Sequence, residues 1–428
     1  MNITQLFPTK WLQVWGLAAV QGAITLAWVI YGLYLPNLLQ QIGLPAAMQG
    51  IGLPTVVGMI FAIESTIAVL MEPLMGGLSD RAQNRLGTKL PFITFGAILA
   101  ATLFVAIPSV MIFGGTSEMM RWIFLGVIIA WAIAMTIFRS PAMSLIGKFA
   151  FATKLPQVAS ILTLVGGITG SLRSLSSKFI LSFGPALTFT VGSIALLGAV
   201  AFLRIVADRQ VTSIPNPDLD PLETVELTRE QNLQQLPLPL VTSALLGAIG
   251  VAIGWAARLI FGEVFPRILQ VEVPNGNLDI LLGTLSIALA VFAIASGFIA
   301  TRFGNIVVML VSLGIAAACL GLLSISHGEF AIVAISLVLV ACLSAVLNGT
   351  IPLALNVMPQ RWGGLGIGMY FGGSSGAAAL FGFLFPQPAQ MITFPNAILM
   401  AAIALLLAGV AIALTTRLDN PQKQEVLA

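Results

Sequence analysis

The chain has 428 residues, of which 58% are apolar and only 8% charged, and its mean hydropathy is +1.02. A soluble domain carries about 25% charged residues, so this composition excludes a water-solvated enzyme and requires a protein surrounded by lipid. The net charge of +3 is too small to suggest a nucleic-acid partner, and it leaves Lys and Arg free to report orientation in a bilayer.

At about 20 residues per crossing the length accommodates about a dozen helices. The first apolar run, residues 13–36, has no small-residue cleavage site and reads as a retained helix ending at Pro36. Trp28 and Tyr31 are three residues apart and share a helical face, where an aromatic could stack on a sugar ring or simply pack; Gln21 lies on the same run. The second run, 53–75, places Glu64 near its centre. A carboxylate at that depth costs a few kcal/mol, so Glu64 should face the bundle interior and either handle substrate or protons or form a static ion pair.

Residues 72–92, EPLMGGLSDRAQNRLGTKLPF, are where charge first interrupts the apolar pattern. They read as a hinge loop in which Gly76, Gly77 and Gly87 let the backbone turn and Asp80 pairs with Arg81 or Arg85. The pattern Gly77-Leu78-Ser79-Asp80-Arg81, followed by Arg85 and Gly87, resembles the signature between helices two and three of the major facilitator superfamily. The fuller run, with Pro73 and Pro91-Phe92, is similar to the sucrose transporters and their glycoside-carrying relatives, the glycoside-pentoside-hexuronide cation symporters. The spacing of Trp28, Pro36 and Ile42-Gly43-Leu44-Pro45 extends that resemblance to the first helix and the loop after it. Thr88-Lys89 stands where those carriers usually have paired arginines.

The third run, 91–110, is apolar throughout, and the fourth, 121–146, carries Arg139-Ser140-Pro141, where the same resemblance returns. Lys148 occupies the place where such carriers usually have an acid. The fifth run, 157–181, holds Gly166-Gly167-Ile168-Thr169-Gly170 and then Arg173; a buried arginine needs an acid, a cavity or carbonyls, which makes Arg139 and Arg173 the expected partners of Glu64. After a sixth run, 184–206, residues 207–239 are rich in acids, glutamine and proline and read as a solvated connector, with a short surface helix allowed from Leu222 to Leu233.

The second half supplies six further runs, giving an all-α polytopic membrane protein of twelve helices in two six-helix bundles. The expected units are 1–206, the connector 207–239, 240–416 and a tail 417–428. Internal repetition supports the division: the run Gly297 to Gly304 echoes the segment around Asp80, Gly349-Thr350-Ile351-Pro352 matches Arg139-Ser140-Pro141, and Gly372-Gly373-Ser374-Ser375-Gly376 matches the glycines of the fifth run. Gly364, Gly368, Gly372 and Gly376 form a stripe with almost no side chains, suited to tight packing or to sliding. Arg258 is the deepest charge of this half, and Asn348 and Asn356 flank Pro352, where an amide could bind a polar solute or satisfy freed backbone. Cys319 and Cys342 lie in separate apolar runs, and with a single histidine, His327, no metal or cofactor is expected.

With the N-terminus inside, thirteen Lys and Arg fall on the cytoplasmic side against two outside, which places both termini in the cytoplasm of a cell (inner) membrane protein. No GxxxxGK[ST] loop suggests an ATP-driven pump. The resulting expectation is not an enzyme but a monomeric secondary transporter, moving a small polar solute by alternating access. The resemblance implies a sugar or glycoside carried with protons. An organic anion held by Arg139, Arg173 or Arg258 is the alternative cargo, and a non-transporting pigment-handling factor or sensor is the alternative class. Candidate solute or coupling residues are Gln21, Trp28, Tyr31, Glu64, Arg139, Arg173, Arg258, Asn348 and Asn356; the hinge set is Gly77, Asp80, Arg81, Arg85 and Gly87.

Overall fold

The computed structural model describes residues 10–44, 56–114, 117–208 and 239–418. Pro45, the central connector with its allowed helix at Leu222 to Leu233, and the tail beyond Leu418 lie outside the described residues. Among the described residues, twelve helices are long and apolar enough to cross a membrane. In chain order they are α1 (Trp11–Gln41), α2 (Val56–Leu86), α3 (Leu90–Gly114), α4 (Glu118–Ser144), α5 (Leu155–Leu175), α6 (Pro185–Asp208), α7 (Leu240–Leu259), α8 (Leu278–Phe303), α9 (Asn305–Ile325), α10 (Glu329–Val357), α11 (Gly363–Leu384) and α12 (Phe394–Leu418). A π turn, Ile260–Val264, and a further helix, Phe265–Glu272, prolong α7.

Local chemistry sets the ends of these helices. The Ser117 side chain caps α4 by accepting from the Met120 amide, with Glu118 in the first turn, and Asn277 caps α8 in the same way. Gly87 and Gly304 adopt φ of +74° and +92°, the left-handed conformation that ends α2 and α8 where a side chain would be strained. Each of the two glycines ends the second helix of its half.

Packing repeats as well. In the first half α1 packs on α5 and α6, α2 on α4, and α3 on α4 and α6; in the second half α7 packs on α11 and α12, α8 on α10, and α9 on α10 and α12. The second set is the first shifted by six helices. The halves meet along two seams, α2 against α11 and α5 against α8. Small residues allow the approach: a Cβ on Gly76 would lie 2.2 Å from the Gly364 carbonyl oxygen, and one on Gly167 would lie 2.7 Å from the Ala290 Cβ. Gly364, Gly368 and Gly372 all face α2, so the glycine stripe of α11 is the surface on which the first half rests.

One expectation about α2 is overturned. The helix does not stop near Met75 but continues to Leu86, so Gly76, Gly77 and Asp80 are helical and the turn is confined to Gly87, Thr88 and Lys89. The run from Ser79 to Leu86 has no proline, and one helix can leave the lipid without breaking.

Candidate functional site

Every fourth residue of α2 from Glu64 lies on one face: Glu64, Ala68, Glu72, Gly76 and Asp80. That face builds both the central cavity and the contact that closes one end of it. The cavity, about 660 Å³, lies between the halves and is lined from α1, α2, α4, α5, α7 and α11. Trp28, Glu64, Glu72, Arg139, Arg173 and Arg258 all border it.

Glu64 is 4% exposed, and its Oε1 accepts a hydrogen bond from the Tyr31 hydroxyl. Its Oε2 is buried without a partner. Tyr31 is held in an aromatic cluster, its ring 4.6 Å from Trp131 and 5.8 Å from Phe61, with Trp28 4.8 Å from Trp131. The expected Glu64 pairing with Arg139 or Arg173 is therefore corrected. An aromatic wall surrounds the carboxyl, and the guanidinium goes elsewhere.

Arg139 instead lies 3.5 Å from Glu72 Oε1 and over the Phe371 ring at 4.1 Å. Ser140 donates to Glu72 Oε2 at 2.7 Å. Glu72 is wholly buried, so Glu64 is not the sole acid at depth. Sequence reasoning set Glu72 aside as the start of a loop; the four-residue spacing from Glu64 through Asp80 was the signal that joined it to the helix.

Arg173 and Arg258 come from opposite halves, α5 and α7, and stand near enough to repel one another. Both are exposed to the cavity, and among the described residues neither has a carboxylate within ion-pair distance. Arg258 lies two residues before the π turn, a helix irregularity common at functional sites. Three arginines against two glutamates leave the cavity positive.

Gln21, Asn348 and Asn356 do not join this group. The Gln21 amide reaches Thr25 on its own helix, and its stem packs near Gly166. Asn348 is buried and donates to the Pro156 carbonyl at 3.1 Å and the Ser296 hydroxyl at 3.4 Å, which ties α10 to α5 and α8. Asn356 is exposed, two turns further along α10. Ser65, Thr136, Ser374 and Ser375 line the cavity and were not anticipated.

The cavity is sealed on the Asp80 side. Asp80 Oδ1 accepts from the Gly364 amide at 3.0 Å and Oδ2 from the Leu365 amide at 2.9 Å, at the N-terminus of α11. A helix start carries partial positive charge and free amides, so a carboxylate fits it. The cation partner of Asp80 is Lys89, not Arg81 or Arg85, which are exposed. Lys89 also donates to Ser144 at 2.7 Å; burial pushes its ammonium below the usual lysine value, and Asp80 pulls it back up. The α4–α11 and α5–α10 contacts reinforce this end, whereas no comparable packing joins α1 or α2 to α7 among the described residues.

This arrangement is the major facilitator fold. Similar solved structures include the human organic anion transporter MFSD10 (TETRAN), with a TM-score of 0.67 at 13% identity, covering 95% of this chain and 100% of that one. A bacterial homologue of the iron transporter ferroportin in an outward-facing state gives 0.70 at 15%, covering 96% and 100%. The E. coli fucose:proton symporter FucP gives 0.60 at 12%, covering 95% and 99%. No sequence-family model and no curated protein matches the chain.

Proposed function

We propose that the chain is a secondary transporter that carries a small organic anion across a membrane by alternating access. The observation that carries this reading is the pair Arg173 and Arg258, two guanidinium groups without carboxylate partners among the described residues, aimed from opposite halves into one cavity. Unpaired arginines at membrane depth are costly and are kept where a ligand or pathway compensates them. Ser65, Thr136, Ser374 and Ser375 add neutral donors around the cavity, suited to carboxylate or phosphate oxygens. The similarity to an organic anion transporter is consistent with this choice.

A sugar or glycoside carried with protons is the second reading. Trp28 favours it, because its ring borders the cavity and can stack on a sugar face. In either case both termini are cytoplasmic, the Asp80 end is the inner end, and the arrangement described is open outward. The units 1–206 and 240–416 are the rocking bodies.

Thermal unfolding of the purified protein, with succinate, inorganic phosphate, sucrose and fucose added separately, tests the cargo. A ligand at 100 times its Kd stabilises by about 2.7 kcal/mol. The anion reading expects stabilisation by an anion that Arg258→Gln abolishes. Stabilisation by a neutral sugar alone, unaffected by that substitution, overturns it.

A further inference from the structure

The two cavity arginines bear on when the protein can change shape. Arg173 stands on α5 of the first half and Arg258 on α7 of the second, and the faces of α1, α2 and α7 remain apart at their end of the cavity. Closing that end moves the halves together across the space the two guanidinium groups share. Among the described residues neither group has a carboxylate to take with it: Glu72 is committed to Arg139 and Ser140, and Glu64 to Tyr31. At an effective dielectric of ~20, two like charges brought within ~5 Å disfavour the closed arrangement on the order of 100-fold. An anion seated between them reverses the sign.

We propose that Arg173 and Arg258 form a two-sided clamp that holds the empty protein open and permits closure only around a bound carboxylate or phosphate. The consequence is that the empty protein rests open at this end and reaches the closed arrangement only when an anion is aboard. This rests on the anion reading of the cavity. It adds a rule for the unloaded state that a simple anion carrier does not need.

The test reads the conformation directly, in bilayer nanodiscs at low ionic strength. Spin labels are placed through Ser182→Cys and Gln270→Cys, exposed positions near the open end of each half, with the buried Cys319 and Cys342 changed to alanine. The unloaded protein is expected to show only the long inter-label distance, and phosphate or succinate should bring up a short one. Arg258→Gln should populate the short distance without any anion, by at least ~10-fold over the parent, while Arg258→Lys, which keeps the charge, should stay open when empty. A parent that closes without anion, or an Arg258→Gln protein that stays open, overturns the clamp. If Arg258→Gln closes when empty but only sucrose closes the parent, the anion reading of the cargo fails and the charge barrier stands.

Discussion

Asp80→Asn should release the closed end of the cavity. Asp80 accepts two backbone hydrogen bonds across the seam, at 3.0 Å and 2.9 Å, from the first amides of α11. An asparagine keeps one acceptor oxygen and loses the charge. Hydrogen bonds to a charged group contribute about 1.5–3 kcal/mol each, and an anion at a helix start contributes up to ~2 kcal/mol in partly buried geometry. Losing one bond and weakening the other should cost on the order of 3 kcal/mol. All of that cost falls on the arrangement in which α2 and α11 touch, so the equilibrium should shift by about 100-fold toward opening at the Asp80 end. The assay is the distance between labels on Arg85→Cys and Arg361→Cys, one per half near this end, with transport rate measured in parallel. Lys89 would be left buried beside Ser144 alone, so the double variant Asp80→Asn with Lys89→Met separates the latch from the stranded charge. Unchanged distances in both variants would refute the reasoning.

Glu72→Gln should lower stability by about 3 kcal/mol, because it leaves Arg139 without its carboxylate while Ser140 keeps a partner; denaturant unfolding in detergent measures this, and a loss below ~1 kcal/mol contradicts the pairing. Gly76→Ala places a Cβ 2.2 Å from the Gly364 carbonyl, backbone against a helix, so the seam should part and transport slow without loss of ligand affinity. Glu64→Gln should abolish uptake driven by an imposed pH gradient and spare solute exchange, since Glu64 Oε2 is a buried carboxylate oxygen without a partner and able to take a proton. Survival of pH-driven uptake in vesicles with equal amounts of folded protein would remove Glu64 from any coupling role.

The twelve crossings were legible because lipid imposes one requirement, an unbroken apolar run, and the sequence meets it twelve times. The repeat was legible too, from Gly297 to Gly304 matching the segment around Asp80. What the one-dimensional pattern concealed was the boundary between lipid and water. Charge at Asp80 and Arg81 read as the end of α2, although a helix can project beyond the bilayer, and that misplaced Glu72 and dissolved the Glu64–Glu72–Asp80 face. Ion-pair partners were hidden for a different reason. The sequence offers Glu64 to Arg139 and Arg173 alike, and the pairing actually made depends on how α2, α4 and α5 are rotated, which the apolar pattern leaves open.

The two seams between the halves are related by the repeat but are built from different chemistry, and this has a mechanical consequence. The α2–α11 seam ends in a buried carboxylate, a lysine and a helix start, interactions that are strong when made and costly when half made. At the equivalent place in the α5–α8 seam Thr301 takes the position of Asp80, and closure relies on Gly297 against Pro156 and on the neutral Asn348 bridge. Neutral hydrogen bonds contribute about 1 kcal/mol and can be exchanged for water with little penalty. On the proposed rocking of the halves, the α5–α8 seam should give gradually while the α2–α11 seam holds until it releases at once. A charge added at Thr301, as Thr301→Asp, should convert the soft seam into a second latch only if the α11-type helix start has a counterpart at Leu155; there Pro156 removes one of the first amides, so the substitution should add an unpaired charge and no latch.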